Sequence, residues 1–191
     1  CILHYRENDA RLADGDLLLV DAGCEYQYYA SDITRTWPVN GSYTPAQREI
    51  YEVVLAAQQA AIAATRPGNH WNQAHEAAVH AVTHGLVSLG LLKGRVQKLI
   101  KDGAYQRFFM HRTGHWLGMD VHDVGDYKVG DEWRVLLASF CFTTGMGRCT
   151  FHDAGLLCWC AARYLDCSWR HGGRGAYRWR RIRSRLRGRN G

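Results

Sequence analysis

The chain has 191 residues, of which 47% are hydrophobic and 22% are charged, as in a globular domain with a buried core. This excludes a chain that is disordered throughout. No apolar run approaches the roughly 18 residues of a membrane helix, so we expect no membrane partner. The net charge of +6 is uneven: residues 1–136 hold 13 Lys and Arg against 16 Asp and Glu, whereas residues 137–191 hold 11 Arg and two Asp. The basic character therefore belongs to the last part of the chain and says nothing about the partner of the first part. We do not expect nucleic acid as a partner of the protein.

Three strands are predicted in the first 40 residues. The apolar run Leu17–Val20 follows a turn signal and is typical of a buried strand. The aromatic segment Tyr26–Tyr29 and the alternating, β-branched segment Asp32–Val39 follow it, and Pro38 stops the pairing of the last one.

Helices follow. Thr44, Pro45 and Gln47 form the start signal of the first helix, with a capping box and a proline at the first helical position. Further helices are predicted from Trp71 to Leu89, stopped by Gly90, and over Val96–Ile100. A His-rich segment, residues 111–122, comes next on a strand or loop. Strands, then helices, then more strand indicate an α+β fold.

Two aspartates and one histidine are the candidate metal ligands. Asp21 ends the first strand and Asp32 opens the third. If these strands pair as a hairpin, both carboxylates face one spot, where they need a cation or a shared proton. The alternative is a turn aspartate and a surface aspartate. His115 lies between glycines 114 and 118, which permit close approach of a ligand. Carboxylate and imidazole donors suit Mn²⁺, Co²⁺ or Zn²⁺, and two such ions would lower the pKa of a shared water.

Four motifs in the first 136 residues resemble aminopeptidase P, the Xaa-Pro aminopeptidase of the pita-bread metallopeptidases, in order and in spacing. They are Ile2-Leu3-His4-Tyr5, Val20-Asp21-Ala22-Gly23, Ser31-Asp32-Ile33-Thr34-Arg35-Thr36 and His111-Arg112-Thr113-Gly114-His115-Trp116-Leu117-Gly118-Met119-Asp120-Val121-His122-Asp123. The resemblance implies an incomplete pita-bread (creatinase/aminopeptidase-like) fold over residues 1–136.

The same resemblance implies a site and an activity. Asp21 would chelate one metal, Asp32 would bridge two, and His115 would bind the other, with manganese as the usual metal. His4, His111 and His122 would bind substrate, with His122 and His111 also catalytic. The implied reaction removes the N-terminal residue from peptides with proline in second position. A homo-oligomer of the full-length protein and a cytoplasmic location are also expected.

Two further glutamate ligands of the family are missing. One belongs to a Val-Glu-Pro-Gly segment and the other to an Arg-Ile-Glu-Asp segment. Here the last glutamate is Glu132, and residues 137–141 stand where Glu-Pro-Gly is expected. We therefore expect this chain, read as a fragment that starts without Met, to be inactive.

The segment 137–191 is rich in Arg and Cys, and its abrupt start inside a motif favours a frameshift near residue 136, followed by a poorly ordered tail outside the family pattern. One alternative is a genuine basic arm centred on residues 178–187. Another is a zinc site of tail cysteines, although the Cys158-x-Cys160 spacing is unusual for zinc.

Other functions stay open on the same fold. They are an Xaa-Pro dipeptidase of the prolidase kind, creatine hydrolysis, methionine removal, and a non-enzymatic binding domain with a basic nucleic-acid-binding tail. Retention of Asp21, Asp32 and His115 favours a metalloenzyme over a binding domain.

Overall fold

A computed structural model describes residues 7–137 in full and the backbone of residues 142–144 and 148–149. The elements are β1 (Leu17–Ala22), β2 (Glu25–Tyr26), β3 (Tyr29–Ala30), β4 (Ile33–Pro38), α1 (Pro45–Ala64), α2 (Trp71–Ser88), α3 (Val96–Lys101), a 3₁₀ helix (Ala104–Arg107), β5 (Gly114–Trp116), β6 (Lys128–Val129), β7 (Glu132–Trp133), β8 (Phe142–Thr144) and β9 (Arg148–Cys149). This order of strands, helices and further strands confirms the predicted α+β class. The prediction for His4 and most of those for the tail lie outside the described residues.

The first and third predicted strands do pair as a hairpin, but the prediction that the first one is buried is wrong, because Leu17 and Leu19 are 46% and 62% exposed. Strands β1 and β4 form an antiparallel ladder from Leu17 opposite Pro38 to Ala22 opposite Ile33. Their chain connection returns at the end where β1 finishes and β4 begins. The residues that flank this end, among them Asp21, are therefore brought close together.

The prediction of one continuous strand over residues 26–29 is wrong. Strands β2 and β3 form a short hairpin of their own, with Tyr26 opposite Tyr29. The backbone reverses at Gln27 and Tyr28, whose φ angles of 50° and 71° are left-handed. Two consecutive left-handed residues fit a tight turn whose twist matches the flanking strands.

The start signal of α1 is confirmed. The backbone N–H of Gln47 donates to the Thr44 hydroxyl (3.3 Å), and the Gln47 side-chain oxygen accepts from the Thr44 backbone N–H (2.9 Å). This reciprocal pair satisfies two donors that the first turn of a helix leaves open. The helix then ends at Ala64, with Thr65 as its C-terminal cap.

Helix α2 packs against α1 through small side chains, which allow the two backbones to approach closely. Gly85 on α2 faces Val53 on α1, and a Cβ at Gly85 would lie 2.5 Å from the Val53 methyl groups. The buried core of this layer consists of Ala57, Ala61, Ala74, Ala78, Val79, Val82, Leu86, Leu92 and Phe109. Because Phe109 belongs to this core, the helices fix the segment that leads into β5.

Strand β5 carries the central histidine of the His-rich segment and pairs antiparallel with β8, with His115 opposite Thr143. Residues 142–144 of the predicted tail therefore lie next to this histidine. The division of the chain at residue 136 stays a prediction. No helix within the described ranges has the length and hydropathy needed to cross a bilayer.

Candidate metal centre

Asp21 is held by its cross-strand neighbour. It lies opposite Thr34 in the ladder of β1 and β4, and the Thr34 hydroxyl donates to Asp21 Oδ1 over 2.9 Å. Asp21 also hydrogen-bonds Asp32, an interaction that contributes to lowering the pKa of the Asp32 carboxyl. The pairing of β1 with β4 thus orients the first candidate ligand.

The segment before Asp32 is fastened to the segment after Asp21. The Ser31 backbone N–H donates to the Cys24 carbonyl (2.8 Å), and the Cys24 N–H donates to the Ser31 hydroxyl (2.8 Å). The same hydroxyl donates back to the Cys24 carbonyl over 3.0 Å. These bonds close the end of the hairpin and so fix where Asp32 enters the site.

His115 reaches Asp32 from β5. The distance from His115 Nε2 to Asp32 Oδ2 is 3.0 Å, and the two side chains are 20% and 15% exposed. His115 Nδ1 lies 2.8 Å from the Trp116 carbonyl oxygen, which only accepts, so Nδ1 carries a hydrogen. Nε2 then either donates a second hydrogen to Asp32 as part of an imidazolium, or presents its lone pair to a cation.

The electrostatics agree with a charged pair. The hydrogen bond with His115 is the largest influence on Asp32 and lowers the pKa of its carboxyl against the opposing effect of burial. Burial alone would lower the pKa of His115, but its bonds to Asp32 and to the Trp116 carbonyl outweigh burial and raise it. The charge of Asp21 acts in the same direction on His115. A negative environment of this kind also attracts a metal cation.

The remaining predicted histidines divide between two places. The His122 ring meets the His115 ring edge-on, with 4.3 Å between centroids, so His122 lies at the candidate centre. The His111 ring packs edge-on against Phe109 at 5.2 Å, and its Nδ1 lies 2.7 Å from the Arg112 carbonyl oxygen.

A second polar cluster, which the sequence did not predict, lies between α2 and the start of β5. His75 Nδ1 lies 2.8 Å from the Thr113 hydroxyl, and Thr113 is 3% exposed. A cavity of about 20 Å³ adjoins them, lined by Trp71, Ala74, His75, Arg112, Thr113, Gly114 and Leu136. Burial, assisted by the charges of Arg112 and His111, lowers the pKa of His75 to about 4. No local sequence pattern predicts this pair, because its two residues lie 38 positions apart in the chain.

A metal ion fits the chemistry of these donors only in part. Two donors on one octahedral cation, each about 2.1 Å from it, lie about 3.0 Å apart when adjacent, and Asp32 and His115 have this separation. Among the residues that the structure describes, however, no group of three or more His, Cys, Asp or Glu side chains is arranged to hold a metal. The described residues therefore supply one adjacent donor pair, with Asp21 held beside it.

Comparison with known proteins identifies relatives. The sequence profile of metallopeptidase family M24 matches residues 1–172, which reaches beyond residue 136. The chain is 54% identical over 154 residues to the Xaa-Pro aminopeptidase of Haemophilus influenzae and 49% identical over 154 residues to that of Escherichia coli. Each match covers 81% of this chain, but only 36% and 35% of those proteins. The chain thus spans about a third of their length.

Solved structures of aminopeptidases are also similar to this chain. The structure of Pseudomonas aeruginosa aminopeptidase PepP is similar with a TM-score of 0.74 and 62% identity, over 75% of this chain and 33% of that one. Zinc-substituted aminopeptidase P of E. coli in complex with product is similar with a TM-score of 0.72 and 51% identity, over 75% of this chain and 32% of that one. These similarities confirm the expected partial pita-bread fold.

Proposed function

Because the chain belongs to metallopeptidase family M24, we propose that the whole protein is a two-metal Xaa-Pro aminopeptidase. It would release the N-terminal residue from peptides with proline in second position. The relatives named above carry this activity in their names, and the chain is 54% identical to one of them. We propose manganese as the metal and the cytoplasm as the location, both of which follow from the expectations drawn from the sequence.

The observation that carries this proposal is the pair of Asp32 and His115. Their donor atoms lie 3.0 Å apart, although the residues come from opposite ends of the described chain. The bond from His115 Nδ1 to the Trp116 carbonyl directs Nε2 toward Asp32, as the outer partners of metal-binding histidines commonly do. Bound divalent cations would polarise the scissile carbonyl and lower the pKa of a water.

Each site residue has a proposed role. Asp21 would hold one metal, Asp32 would bridge the two, and His115 would hold the second. His122, whose ring contacts His115, donates a hydrogen bond to the scissile peptide or holds its proton. His111 and His4 bind the substrate, with His111 also assisting catalysis.

The chain as it stands is proposed to be inactive. It contains no glutamate after Glu132, so both glutamate segments of the family pattern are missing. Three ligands in place of five lower metal affinity and leave the two aspartates with less counter-charge. We propose that residues 137–191 result from a frameshift near residue 136.

Resequencing the DNA over codons 130–145 and assaying the product tests this proposal. We expect one or two bases to be gained or lost there, and correction of the reading frame should restore the Val-Glu-Pro-Gly and Arg-Ile-Glu-Asp segments. The corrected protein with Mn²⁺ should release the first residue of an Xaa-Pro tripeptide, whereas the 191-residue chain should not. A tripeptide in which alanine replaces proline is the substrate control.

Four outcomes count against parts of the proposal. A corrected protein that releases no N-terminal residue with any divalent cation overturns the activity. Faster turnover of Xaa-Pro dipeptides than of tripeptides favours a prolidase. If the DNA confirms the printed frame, the frameshift is excluded, and manganese-dependent turnover by this chain would then overturn its proposed inactivity.

A further inference from the structure

Two histidines lie one helical turn apart on α2, outside the candidate centre. His80 and His84 are both exposed. Their spacing of four residues puts their Cβ atoms about 5–6 Å apart on one face of the helix. Within the described part of the chain, neither ring has a hydrogen bond, ion pair or ring contact. Both imidazoles are therefore available to a ligand from solvent.

The opposite side of α2 holds the two rings in a fixed relation. Ala78 and Val82, each two residues before one of the histidines, are 0% and 6% exposed in the core. Two residues correspond to a rotation of about 200° around the helix. Since the core side is packed against α1, the histidine side is a rigid, outward-facing surface.

We propose that His80 and His84 chelate one divalent cation of the Cu²⁺, Ni²⁺ or Zn²⁺ class, with water in the remaining positions. Imidazole nitrogens suit these ions, and the Irving–Williams order places Mn²⁺ below them. The described residues offer no third His, Cys, Asp or Glu arranged to complete a cage. The site is therefore a two-ligand, solvent-open one, unlike the carboxylate-rich centre at Asp32.

The surroundings favour a cation. Glu76 lies one turn before His80, and its exposed carboxylate adds negative charge to the same stripe of α2. His84 lies one turn from the C-terminal end of the helix at Ser88, where the helix dipole is negative. Neither feature is a metal ligand by itself, but both lower the cost of bringing a divalent ion to the two rings.

Calorimetric titration of the full chain with Ni²⁺ tests the site. His80→Gln and His84→Gln should each lower the affinity of this stripe for Ni²⁺ by about tenfold or more, because a single imidazole ring cannot chelate the ion. His84→Gln combined with Ser88→His keeps ten histidines, as in the parent chain, but separates the pair by eight residues, or about 12 Å. This variant should bind as weakly as His84→Gln.

A second matched variant restores the spacing. His80→Gln combined with Ser88→His puts the pair at residues 84 and 88, and nickel affinity should return to within about threefold of the parent, a margin of about 0.7 kcal/mol. Circular dichroism checks that all variants keep their helix content. The proposal is overturned if either single variant binds Ni²⁺ as the parent does, or if the separated pair binds as tightly as the adjacent one. The other histidines and the seven cysteines are common to every variant and cannot produce these differences.

Discussion

Gly23 and Ser31 touch so closely that a Cβ on Gly23 would lie 1.6 Å from the Ser31 carbonyl oxygen. The contact joins the residue two places after Asp21 to the residue just before Asp32. Only glycine permits two backbone segments to approach in this way. The absence of one side chain thus sets the spacing of two others.

Gly23→Ala should therefore destabilise the fold and displace Asp32 relative to Asp21. The carbonyl of Ser31 is backbone and cannot move aside as a flexible side chain would. We expect a loss of about 2–3 kcal/mol in the free energy of unfolding, measured by urea denaturation. Gly15→Ala is the control, because Gly15 has a φ of +88° but nothing within 4 Å of its missing Cβ. It should cost only the strain of a left-handed residue, about 1 kcal/mol. Equal effects of the two changes would contradict the argument from close contact.

Thr34→Val should weaken manganese binding while leaving stability nearly unchanged. Valine has the shape of threonine but cannot donate to Asp21 Oδ1, as the Thr34 hydroxyl does. Loss of such an outer partner lowers metal affinity by roughly 10–100-fold in known sites. Equilibrium binding of Mn²⁺ to the frame-corrected protein measures the change. Thr36→Val, two residues along the same strand, should leave the affinity as it is, and a parallel loss in both variants would speak against a role for Asp21.

The His75–Thr113 pair should make the fold less stable in mild acid. Burial is the main reason that the pKa of His75 falls from 6.5 to about 4 in the folded chain. Between these two pH values His75 is protonated in the unfolded chain but neutral in the folded chain. Stability is therefore complete above pH 6.5 and is lost as pH falls toward 4. Because His75 is partly exposed to solvent, we expect the free energy of unfolding to fall by only about 1–2 kcal/mol over this pH range.

His75→Gln is the matched variant for this pH dependence. Glutamine does not titrate but still reaches toward the Thr113 hydroxyl. The difference in unfolding free energy between the parent and this variant, measured in urea at pH 7, 5.5 and 4.5, should shift in favour of the variant as pH falls. Parallel curves for the two proteins would show that His75 takes up its proton equally well in both states.

Tyr28→Gly should stabilise the chain. Tyr28 has a φ of 71° and is 78% exposed, so it bears the strain of a left-handed residue with little packing in return. Glycine relieves about 1–2 kcal/mol of backbone strain in the folded chain. It also raises the conformational entropy of the unfolded chain, which opposes this gain by up to about 1 kcal/mol. A net gain of about 0.5–1 kcal/mol should appear as a higher thermal midpoint. Tyr29→Gly, in the neighbouring strand, should lower it instead, and a loss at both positions would mean that Tyr28 makes contacts worth more than its strain.

Local patterns predicted much of this fold. The capping box at Thr44 and Gln47 and the stop at Gly90 depend on residues within one turn of each other, and both were readable from the sequence. Strands β1 and β4 were predicted from two short apolar or alternating runs, whereas their pairing as a hairpin was only one of two alternatives. The turn at Gln27 and Tyr28 could not be predicted from the sequence, because neither residue type prefers the left-handed conformation and the aromatic run favoured a strand.

The site was less readable because its contacts are distant. The sequence indicated which types of residue were involved, but not that His122 packs on His115 while His111 packs on Phe109. His75 gave no signal at all. Its partner Thr113 is chosen by the packing of α2 against the start of β5, which only the folded chain defines.

The contact between Asp32 and His115 spans 83 residues of sequence. The aspartates belong to a hairpin of strands that are neighbours in sequence, whereas the histidine follows both long helices in the chain. Closing so long a loop has an entropic cost that the helical layer must offset before the pair can meet. On the ribosome, Asp32 is therefore made long before its partner exists. A cation held between the two residues could therefore be captured only after both helices and the histidine have been synthesised.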